Sequence, residues 1–538
     1  MGERMNEIII TKIEWERIFL RIYINFSNGK QFGLFNDKKN RFIPIVPVTE
    51  TCFEINTTCV FDRKFLDNGD WKFGYFKDEV FIPSLVSEEV AYQYDTLSRI
   101  FRYGKGRQYA YTVDFDVIPN EEDSKLYFVL RSYFVKANTS WKKRKYIEEG
   151  IYTHSLIKKC IFGLKCIVIN LIYRFFCLFS RKKGKNILLM SETKPFINGN
   201  LLALDNKLKE SKLNEYHITY SFRKTIGNNQ SILNWIKVLA KLSKQDYVFI
   251  DDFAPIFNYL NLSKKTKLIQ LWHAGAGFKA VGYCRFGKDG SPFPNSSVHK
   301  KYDFGIVGAS ELVKVFEEVW SIDKDSILPL GMARLDNYLT DEKREKVTAE
   351  LYEKYPEFKG KKVILFAPTY RGTGQKNAHY DYDKLDLKRI YDFCKEEYIF
   401  AFKMHPFIVD LPPIPEEYKD RIYDLSAYHN INDLYYITEI MITDYSSSYY
   451  EFSLMKKPIL FYTYDRSFYE ISRGVYQSIK ESAPGHVCDT FEELMSALEN
   501  KDYELEKTLK YERDNFNNMD NKASERILNR ILNIGGNK

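Results

Sequence analysis

The stretch that decides the fold is IMITDYSSSYYEFSLM, residues 440–455. Its first four residues, 440–443, are mostly apolar and predict a short buried strand, whereas residues 447–455 predict a helix. A hydroxyl-rich turn joins the two. Short apolar strands that alternate with helices are typical of a parallel sheet with helices on both faces. This stretch therefore predicts an α/β fold.

The same alternation runs from residue 186 to residue 538 and falls into two series. The predicted strands lie at 186–192, 217–222, 246–252, 267–272 and 304–307 in the first series, and at 362–368, 399–404, 440–443 and 459–462 in the second. We expect two doubly wound, Rossmann-like domains, residues 186–340 and 341–538, that face each other across a cleft. Ligands of such sheets bind beyond the carboxyl ends of the strands. The sequence contains no GxGxxG fingerprint and no Walker loop.

Residues 1–138 have a different pattern, which predicts a β-rich accessory domain before the α/β part. Alternating and aromatic stretches are accompanied by turn signals at Asn28-Gly29 and Asn68-Gly69, and no helical period of useful length occurs. We expect a compact sandwich or barrel that carries no catalytic residue.

Residues 139–185 connect these parts and predict a basic amphipathic helix. Between residues 136 and 185 the chain carries thirteen Lys and Arg against two Glu. Within the apolar run 160–179, Lys165, Asn170 and Arg174 lie on one half of the helical wheel, opposite an uninterrupted apolar face. Such a helix can lie in an anionic membrane surface. A helix that connects two domains and packs on a core is the alternative, and the three polar residues disfavour a true membrane span.

The composition excludes several classes of protein. With 44% hydrophobic and 28% charged residues, the chain is not wholly disordered. The eight cysteines form no CxxC pair, which argues against zinc and against a disulfide scaffold, and favours a reducing compartment. The N-terminal residues show no signal peptide, so we expect the chain on the cytoplasmic side. The net charge of +8 is modest for 538 residues and does not indicate nucleic acid, and the apolar face beside the basic stretch favours lipid over RNA.

A candidate base follows the predicted strand 267–272. His273 lies at the carboxyl end of that strand and is followed by Gly275, which lets a ligand or another backbone approach closely. A histidine satisfied by a neighbouring carbonyl is the alternative, and on position alone it is the commoner case. The acidic pair Asp251 and Asp252 is interpreted as a strand terminus. We therefore expect no metal and no other cofactor.

The second series carries candidate phosphate ligands at its strand ends. Arg371 and Thr373 lie in the loop after 362–368, where a guanidinium can pair with phosphate, although an exposed loop arginine is equally common. His405 follows the strand 399–404. The turn before the helix either caps it or presents free N–H groups to a diphosphate. That turn contains Thr443, Asp444, Ser446 and Ser447, and Glu451 follows it.

In their order along the chain, these motifs resemble those of the CDP-glycerol glycerophosphotransferase family, whose members prime or polymerise wall teichoic acids and related capsules. The resemblance covers about residues 186–500 and does not include the β-rich part. It is carried by LWHAG at 271–275, YRGT at 370–373, KMHP at 403–406, ITDYSS at 442–447 with Glu451, KPI at 457–459, RGVY at 473–476 and APG at 483–485.

The resemblance implies a GT-B fold and peripheral attachment to the cytoplasmic side of the cell membrane. It also implies transfer of glycerol phosphate or ribitol phosphate from CDP-glycerol or CDP-ribitol to a lipid-linked teichoic acid or capsule acceptor, with release of CMP. Carried over by motif, His273 is the base, and His405 with the turn 443–447 holds the diphosphate. Arg371 and Thr373 are further donor contacts, and Glu451, an acidic group at the start of the helix, is a further substrate-binding residue.

Two other functions fit parts of the sequence. A GT-B glycosyltransferase or epimerase that uses a UDP-sugar shares the architecture without this set of motifs. A non-catalytic protein could bind wall polymer through the β-rich domain. The two histidines and the hydroxyl-rich turn favour the transferase. The sequence does not distinguish a glycerol phosphate donor from a ribitol phosphate donor, or a primase from a polymerase. It also leaves open the role of the N-terminal domain and whether the protein is a homo-oligomer.

Overall fold

The computed structural model describes residues 7–27, 29–104, 107–136, 156–211, 215–223, 231–273, 275, 280–288, 291–372, 375–516 and 519–534. The elements given below are those within these ranges.

The N-terminal part, residues 7–136, forms one mostly antiparallel sheet and is called the β-rich segment. Its elements are β1 (Ile9–Glu16), β2 (Phe19–Ile24), β3 (Phe32–Asn36), β4 (Arg41–Pro44), β5 (Pro47–Thr49), β6 (Cys52–Asn56), β7 (Gly69–Lys77), β8 (Val80–Pro83), β9 (Leu85–Val86), α1 (Glu88–Gln93), β10 (Arg99–Tyr103), β11 (Tyr109–Asn120) and β12 (Lys125–Lys136). The strand order is β4-β3-β7-β12-β9-β1-β2-β6-β5, with β8 beside β7, β11 beside β12 and β10 beside β11. Trp71, Phe73 and Tyr111 are fully buried in its core.

One long helix, α2 (Leu156–Leu178), follows the β-rich segment. The Asn170 side chain donates to the Tyr259 carbonyl at 2.7 Å and accepts from the Asn261 amide at 3.0 Å, and Tyr173 is 2% exposed. The helix therefore docks along one side onto the α/β part, and its other side presents exposed apolar residues. These are Ile161, Leu164, Ile167, Val168, Leu171, Phe175 and Leu178. By length and composition alone, the stretch Cys160–Leu178 is apolar enough to cross a membrane.

The first parallel sheet has six strands and, with its helices, is called the first unit. Its strands are β13 (Asn186–Ser191), β14 (His217–Phe222), β15 (Tyr247–Ile250), β16 (Lys267–Gln270), β17 (Phe304–Ile306) and β18 (Ile327–Leu328), and its helices are α3 (Gly199–Glu210), α4 (Ile232–Ser243) and α5 (Val313–Trp320). The order is β14-β13-β15-β16-β17-β18. The α4 helix packs against α2.

The second parallel sheet also has six strands and forms the second unit. Its strands are β19 (Lys362–Phe366), β20 (Tyr398–Phe402), β21 (Ile422–Asp424), β22 (Thr438–Thr443), β23 (Ile459–Tyr462) and β24 (His486–Cys488), in the order β21-β20-β19-β22-β23-β24. The helices after β18 are α6 (Asp341–Lys354), α7 (Leu387–Cys394), α8 (Ile431–Leu434), α9 (Tyr449–Ser453), α10 (Arg466–Arg473), α11 (Ile479–Ser482), α12 (Phe491–Asn500), α13 (Leu505–Asn515) and α14 (Ala523–Leu532). The predicted α/β class is confirmed.

The C-terminal helix α14 returns to the first unit. Ile527 and Leu528 are buried in one core with Ile187 and Leu189 of β13. The carboxylate of Asp336 accepts the N–H groups of the first two residues of α14 at 2.9 and 2.8 Å, which caps the helix. The predicted second domain, residues 341–538, therefore includes a helix that covers the first sheet, because an amphipathic pattern does not specify which sheet a helix covers.

Candidate active site

His273 lies just beyond β16 in a backbone that is held in place. The preceding Trp272 has a φ of 51°, a left-handed conformation that costs energy for a bulky residue. The Asn200 side chain on α3 donates to the Trp272 carbonyl at 2.7 Å, and Trp272 packs edge-on against Trp320. The His273 side chain is 47% exposed beside this strained turn, so solvent reaches it at the carboxyl edge of the sheet.

The His273 ring has one nitrogen engaged by the protein. Its Nδ1 lies 3.3 Å from the Asp251 carbonyl oxygen and 3.6 Å from Asp252 Oδ1. Because a carbonyl oxygen only accepts, this hydrogen bond places the proton of neutral His273 on Nδ1 and leaves a lone pair on Nε2. The surrounding protein displaces water and lowers the pKa of His273, although the Asp252 carboxylate opposes the shift. His273 is thus neutral at pH 7 with Nε2 as its basic nitrogen.

Asp252 is itself oriented by hydrogen bonds. Its Oδ2 accepts from the Thr193 hydroxyl at 2.9 Å and its Oδ1 from the Phe253 amide at 2.7 Å. Asp251 and Asp252 directly follow a strand, as the sequence predicts. The sequence did not indicate that Asp252 lies beside His273. Since β15 and β16 are neighbours in the sheet, residues that follow them meet at one edge. The sequence alone does not show that β15 and β16 are neighbours, so it could not bring Asp252 and His273 together.

Arg334, which the sequence did not single out, joins His273 to the second unit. Its Nη2 donates to the His273 carbonyl at 3.1 Å and pairs with the Glu451 carboxylate on α9. The two charged side chains are only 15% and 10% exposed. Glu451, predicted to contact substrate, therefore lies in a buried ion pair between the two units.

Gly275 lies where another side chain from α9 packs. A Cβ atom at residue 275 would be 2.0 Å from the Tyr450 ring, and one at Gly308 would be 2.3 Å from the Tyr450 hydroxyl. Glycine at these two positions lets the ring rest directly on the backbone of the first unit. The two units are therefore in close contact beside His273.

Arg371 is surrounded by carboxylates. Its Nε and Nη2 donate to Asp465 at 2.7 and 2.9 Å, and its Nη1 donates to Asp444 at 2.8 Å and to the Thr369 carbonyl at 2.7 Å. The guanidinium also lies 5.2 Å from the Tyr445 ring. With at least four of its five N–H groups engaged, Arg371 positions the loop and the turn after β22. Its contact with phosphate stays a prediction.

The turn after β22 is rigid on one side and open on the other. Thr443 donates to the Ala367 carbonyl at 2.8 Å, and Asp444 accepts from the Thr369 amide at 2.7 Å, so both side chains face the protein. Ser446 accepts from the Ser448 amide at 3.3 Å. Within the described residues, the amides of Ser446 and Ser447 have no hydrogen-bond acceptor. The helix that follows has only five residues, so these amides matter more than its dipole.

His405 has the opposite tautomer to His273. Its Nδ1 accepts from the Phe407 amide at 3.1 Å, which places the proton of the neutral ring on Nε2. The imidazole packs against the rings of Tyr370 and Phe407, with centroids 4.7 and 4.8 Å away, and those two rings are 5.3 Å from each other. His405 is thus arranged to donate a hydrogen bond from Nε2.

Arg473 lies next to this histidine through a shared aromatic ring. Its guanidinium is 5.8 Å from the Tyr370 centroid, and no carboxylate among the described residues lies within 4.0 Å of it. The next residue, Gly474, accepts from the Ala280 amide of the first unit at 3.3 Å. The loop that directly follows Arg473, the last residue of α10, therefore touches both units.

The sequence comparisons with known proteins identify one family. The sequence profile of the CDP-Glycerol:Poly(glycerophosphate) glycerophosphotransferase family matches residues 171–533. The chain belongs to this family. The teichoic acid ribitol-phosphate polymerase TarL of Staphylococcus aureus (strain NCTC 8325 / PS 47) is 33% identical over 420 residues, which are 78% of this chain and 72% of TarL.

Relatives named as primases are also similar to this chain. The teichoic acid glycerol-phosphate primase of Bacillus subtilis (strain 168) is 30% identical over 309 residues, or 56% of this chain and 77% of the primase. Among solved structures, the wall teichoic acid polymerase TagF matches with a TM-score of 0.54 and 20% identity, over 71% of this chain and 98% of TagF. The structural match shows a shared fold.

Family membership makes this protein an enzyme, a CDP-polyol phosphotransferase. Among the described residues, no group of three or more His, Cys, Asp or Glu side chains could hold a metal ion. Thr373, the remaining predicted donor contact, lies outside the described residues.

Proposed function

We propose that this enzyme transfers glycerol phosphate or ribitol phosphate from its CDP ester to a hydroxyl of a lipid-linked teichoic acid or capsule acceptor. The observation that carries the mechanism is the hydrogen bond from His273 Nδ1 to the Asp251 carbonyl, because it leaves Nε2 as a neutral base. Family membership supports the CDP-polyol donor.

In the proposed reaction, the acceptor oxygen attacks the phosphorus that carries the polyol. The bond from that phosphorus to the bridging diphosphate oxygen breaks and CMP leaves, while the hydroxyl proton passes to His273 Nε2. Asp252, 3.6 Å from Nδ1, stabilises the imidazolium that forms. Arg334 acts on the backbone of His273 and is a positioning residue.

The donor diphosphate is proposed to bind on the second unit. His405 would donate from Nε2, and the Ser446 and Ser447 amides would donate beside it. Arg473 supplies a cation that no described carboxylate neutralises. Preorganised donors of this kind stabilise the charge that develops on a transferring phosphoryl group and on its leaving group. The mechanism uses no metal.

We also propose the GT-B arrangement, with the two units as opposite walls of one cleft, and attachment of α2 to the inner face of the membrane. The contacts of Arg334 with Glu451 and of Tyr450 with Gly275 support the shared cleft. For the membrane, support comes from the exposed side of α2, where Leu164 and Leu171 are 63% and 59% exposed. Basic residues flank that helix, and anionic lipid attracts them.

The test is an assay for the released nucleotide. The full chain is incubated in turn with CDP-glycerol, CDP-ribitol and a UDP-sugar, each with and without a lipid-linked acceptor. Acceptor-dependent release of CMP from one of the two CDP esters is the expected result. Release of UDP would favour the glycosyltransferase alternative, and the absence of any release would favour a non-catalytic wall-polymer-binding protein.

A further inference from the structure

The tip of the first hairpin in the β-rich segment carries an arginine in an unusual conformation. Arg17 and Ile18 form the turn between β1 and β2, and Arg17 has a φ of 59°. A left-handed conformation is uncommon for such a side chain. Arg99 Nη1 donates to the Arg17 carbonyl at 2.7 Å and fixes the turn, so the side chain of Arg17 projects from a rigid tip.

This guanidinium contacts both α/β units at once. Its Nε donates to both carboxylate oxygens of Glu318, at 2.8 and 2.9 Å, and its Nη2 donates to the Cys284 carbonyl at 3.2 Å; both partners belong to the first unit. Its Nη1 donates to the Tyr476 carbonyl of the second unit at 2.5 Å, and the group stacks 4.2 Å from the Tyr476 ring.

The buried partner makes Arg17 difficult to replace. The Glu318 side chain is 1% exposed, and burial raises its pKa above the ordinary value while Arg17 opposes that shift. A planar guanidinium can pair with a carboxylate and still donate to two carbonyls, which a lysine ammonium cannot do in the same plane.

Tyr476 lies in the loop between α10 and α11, and Arg473, the last residue of α10, directly precedes that loop. The same loop is hydrogen-bonded to Ala280 through Gly474, and Arg473 reaches the Tyr370 ring beside His405. A displacement of Tyr476 therefore moves the guanidinium proposed to bind the donor diphosphate. Through Arg17, the β-rich segment holds one end of this loop.

We infer that Arg17 is a positioning residue for the donor site and that the β-rich segment serves donor binding through its hairpin tip. This inference rests on the proposed function, because it takes Arg473 as part of the diphosphate site. Loss of Arg17 should weaken donor binding more than it slows the chemical step, since His273 lies on the other unit.

Arg63 offers a matched control in the same segment. Among the residues that the structure describes, its side chain bonds only to the first unit, through the Tyr302 and Lys300 carbonyls, the Ser326 hydroxyl at 3.1 Å and Asp323 at 3.4 Å. Arg63 and Arg17 therefore both dock the β-rich segment, but only Arg17 reaches the second unit. If Arg17 only docked the β-rich segment, replacing Arg17 and replacing Arg63 would change donor binding equally.

The experiment compares Arg17→Met and Arg63→Met in the full chain, with donor Kd from calorimetry and kcat and KM from CMP release. Arg17→Met should raise the donor Kd and KM at least tenfold with kcat changed less than threefold, and Arg63→Met should leave the donor Kd within threefold. If Arg17→Met lowers the Tm strongly, Arg17→Lys, which keeps the charge, is measured in its place with the same expectation.

An unchanged donor Kd in the Arg17 variant, or an equal rise in the Arg63 variant, would overturn the inference. Wild-type protein that binds CDP esters without releasing CMP would instead count against the proposed function.

Discussion

The ion pair between Arg334 and Glu451 gives the strongest test of how the two units cooperate. In Glu451→Gln the side chain keeps its size and loses its charge. Arg334 then remains buried without a counter-ion, and its bond to the His273 carbonyl is no longer supported from the second unit. Arg334 Nε is already buried without a hydrogen-bond partner among the described residues, so little compensation is at hand.

The expected size of the effect follows from burial. Breaking a buried ion pair by removing one partner costs about 3–5 kcal/mol. The side chains are 15% and 10% exposed, so the buried value applies rather than the value for a surface pair. Suppose that about 3 kcal/mol of this cost destabilises the state in which the two units are in contact. Then kcat/KM falls by roughly 100-fold, because 1.36 kcal/mol corresponds to a factor of ten.

The assay is CMP release at several donor and acceptor concentrations, with the Tm measured in parallel. Glu439→Gln is the control, because Glu439 pairs with Lys457 at 3.2 Å on the surface of the same unit and is 44% exposed, so its loss should cost at most about 1 kcal/mol. The double variant Arg334→Met with Glu451→Met removes both charges. It should recover the Tm but not the turnover, because the bond to the His273 carbonyl is absent. Activity of Glu451→Gln within threefold of wild type, or recovery of turnover in the double variant, would refute the positioning role.

Four further outcomes are expected. His273→Ala should lower kcat by about 100-fold or more with donor Kd unchanged, and near-normal turnover of the folded variant would reject His273 as the base. In the wild type, activity should be lost as the pH falls through the pKa of His273. This acidic limb should lie below the ordinary value of 6.5, because burial lowers the pKa, and a limb above that value would contradict the site geometry. His405→Ala should weaken donor binding about tenfold or more, since a hydrogen bond to a charged group contributes about 1.5–3 kcal/mol, and an unchanged donor Kd would argue against that contact. Replacing Leu164, Ile167 and Leu171 together by Glu should release the protein from anionic vesicles without changing its Tm. High salt should release part of the wild-type protein, because it screens the basic residues. Retention of the folded triple variant on the vesicles would exclude this membrane surface.

The sequence predicted most strands of the two parallel sheets, and the strands that it missed are short. β14 and β23 begin and end at the predicted residues, whereas β18, β21 and β24 have only two or three residues and were not predicted. A strand of two residues has no detectable period of its own and exists because its neighbour supplies hydrogen bonds. The predicted helix 447–455 is shorter in the structure, Tyr449–Ser453, because the serine-rich turn satisfies its own backbone amides in part.

The sequence also placed both histidines at strand ends, because an apolar run followed by a polar residue is a local signal. It could not indicate their tautomers, since these depend on the Asp251 carbonyl and the Phe407 amide. For Arg371, the sequence could not indicate the role of the side chain. Its motif is the same for a phosphate ligand and for an arginine clamped by Asp444 and Asp465, and only the fold brings those carboxylates to it.

By itself, then, the sequence determined the α/β class, the family and the candidate base, because apolar period and motif order are properties of neighbouring residues. The tertiary structure alone decided which groups surround that base, since Asp252, Arg334 and Glu451 lie 21, 61 and 178 residues from His273 along the chain. It alone also joined Arg17 to Tyr476, across 459 residues. Hydrogen bonds and ion pairs act over about 3 Å in space, and a linear pattern contains no record of which distant side chains folding brings within that range.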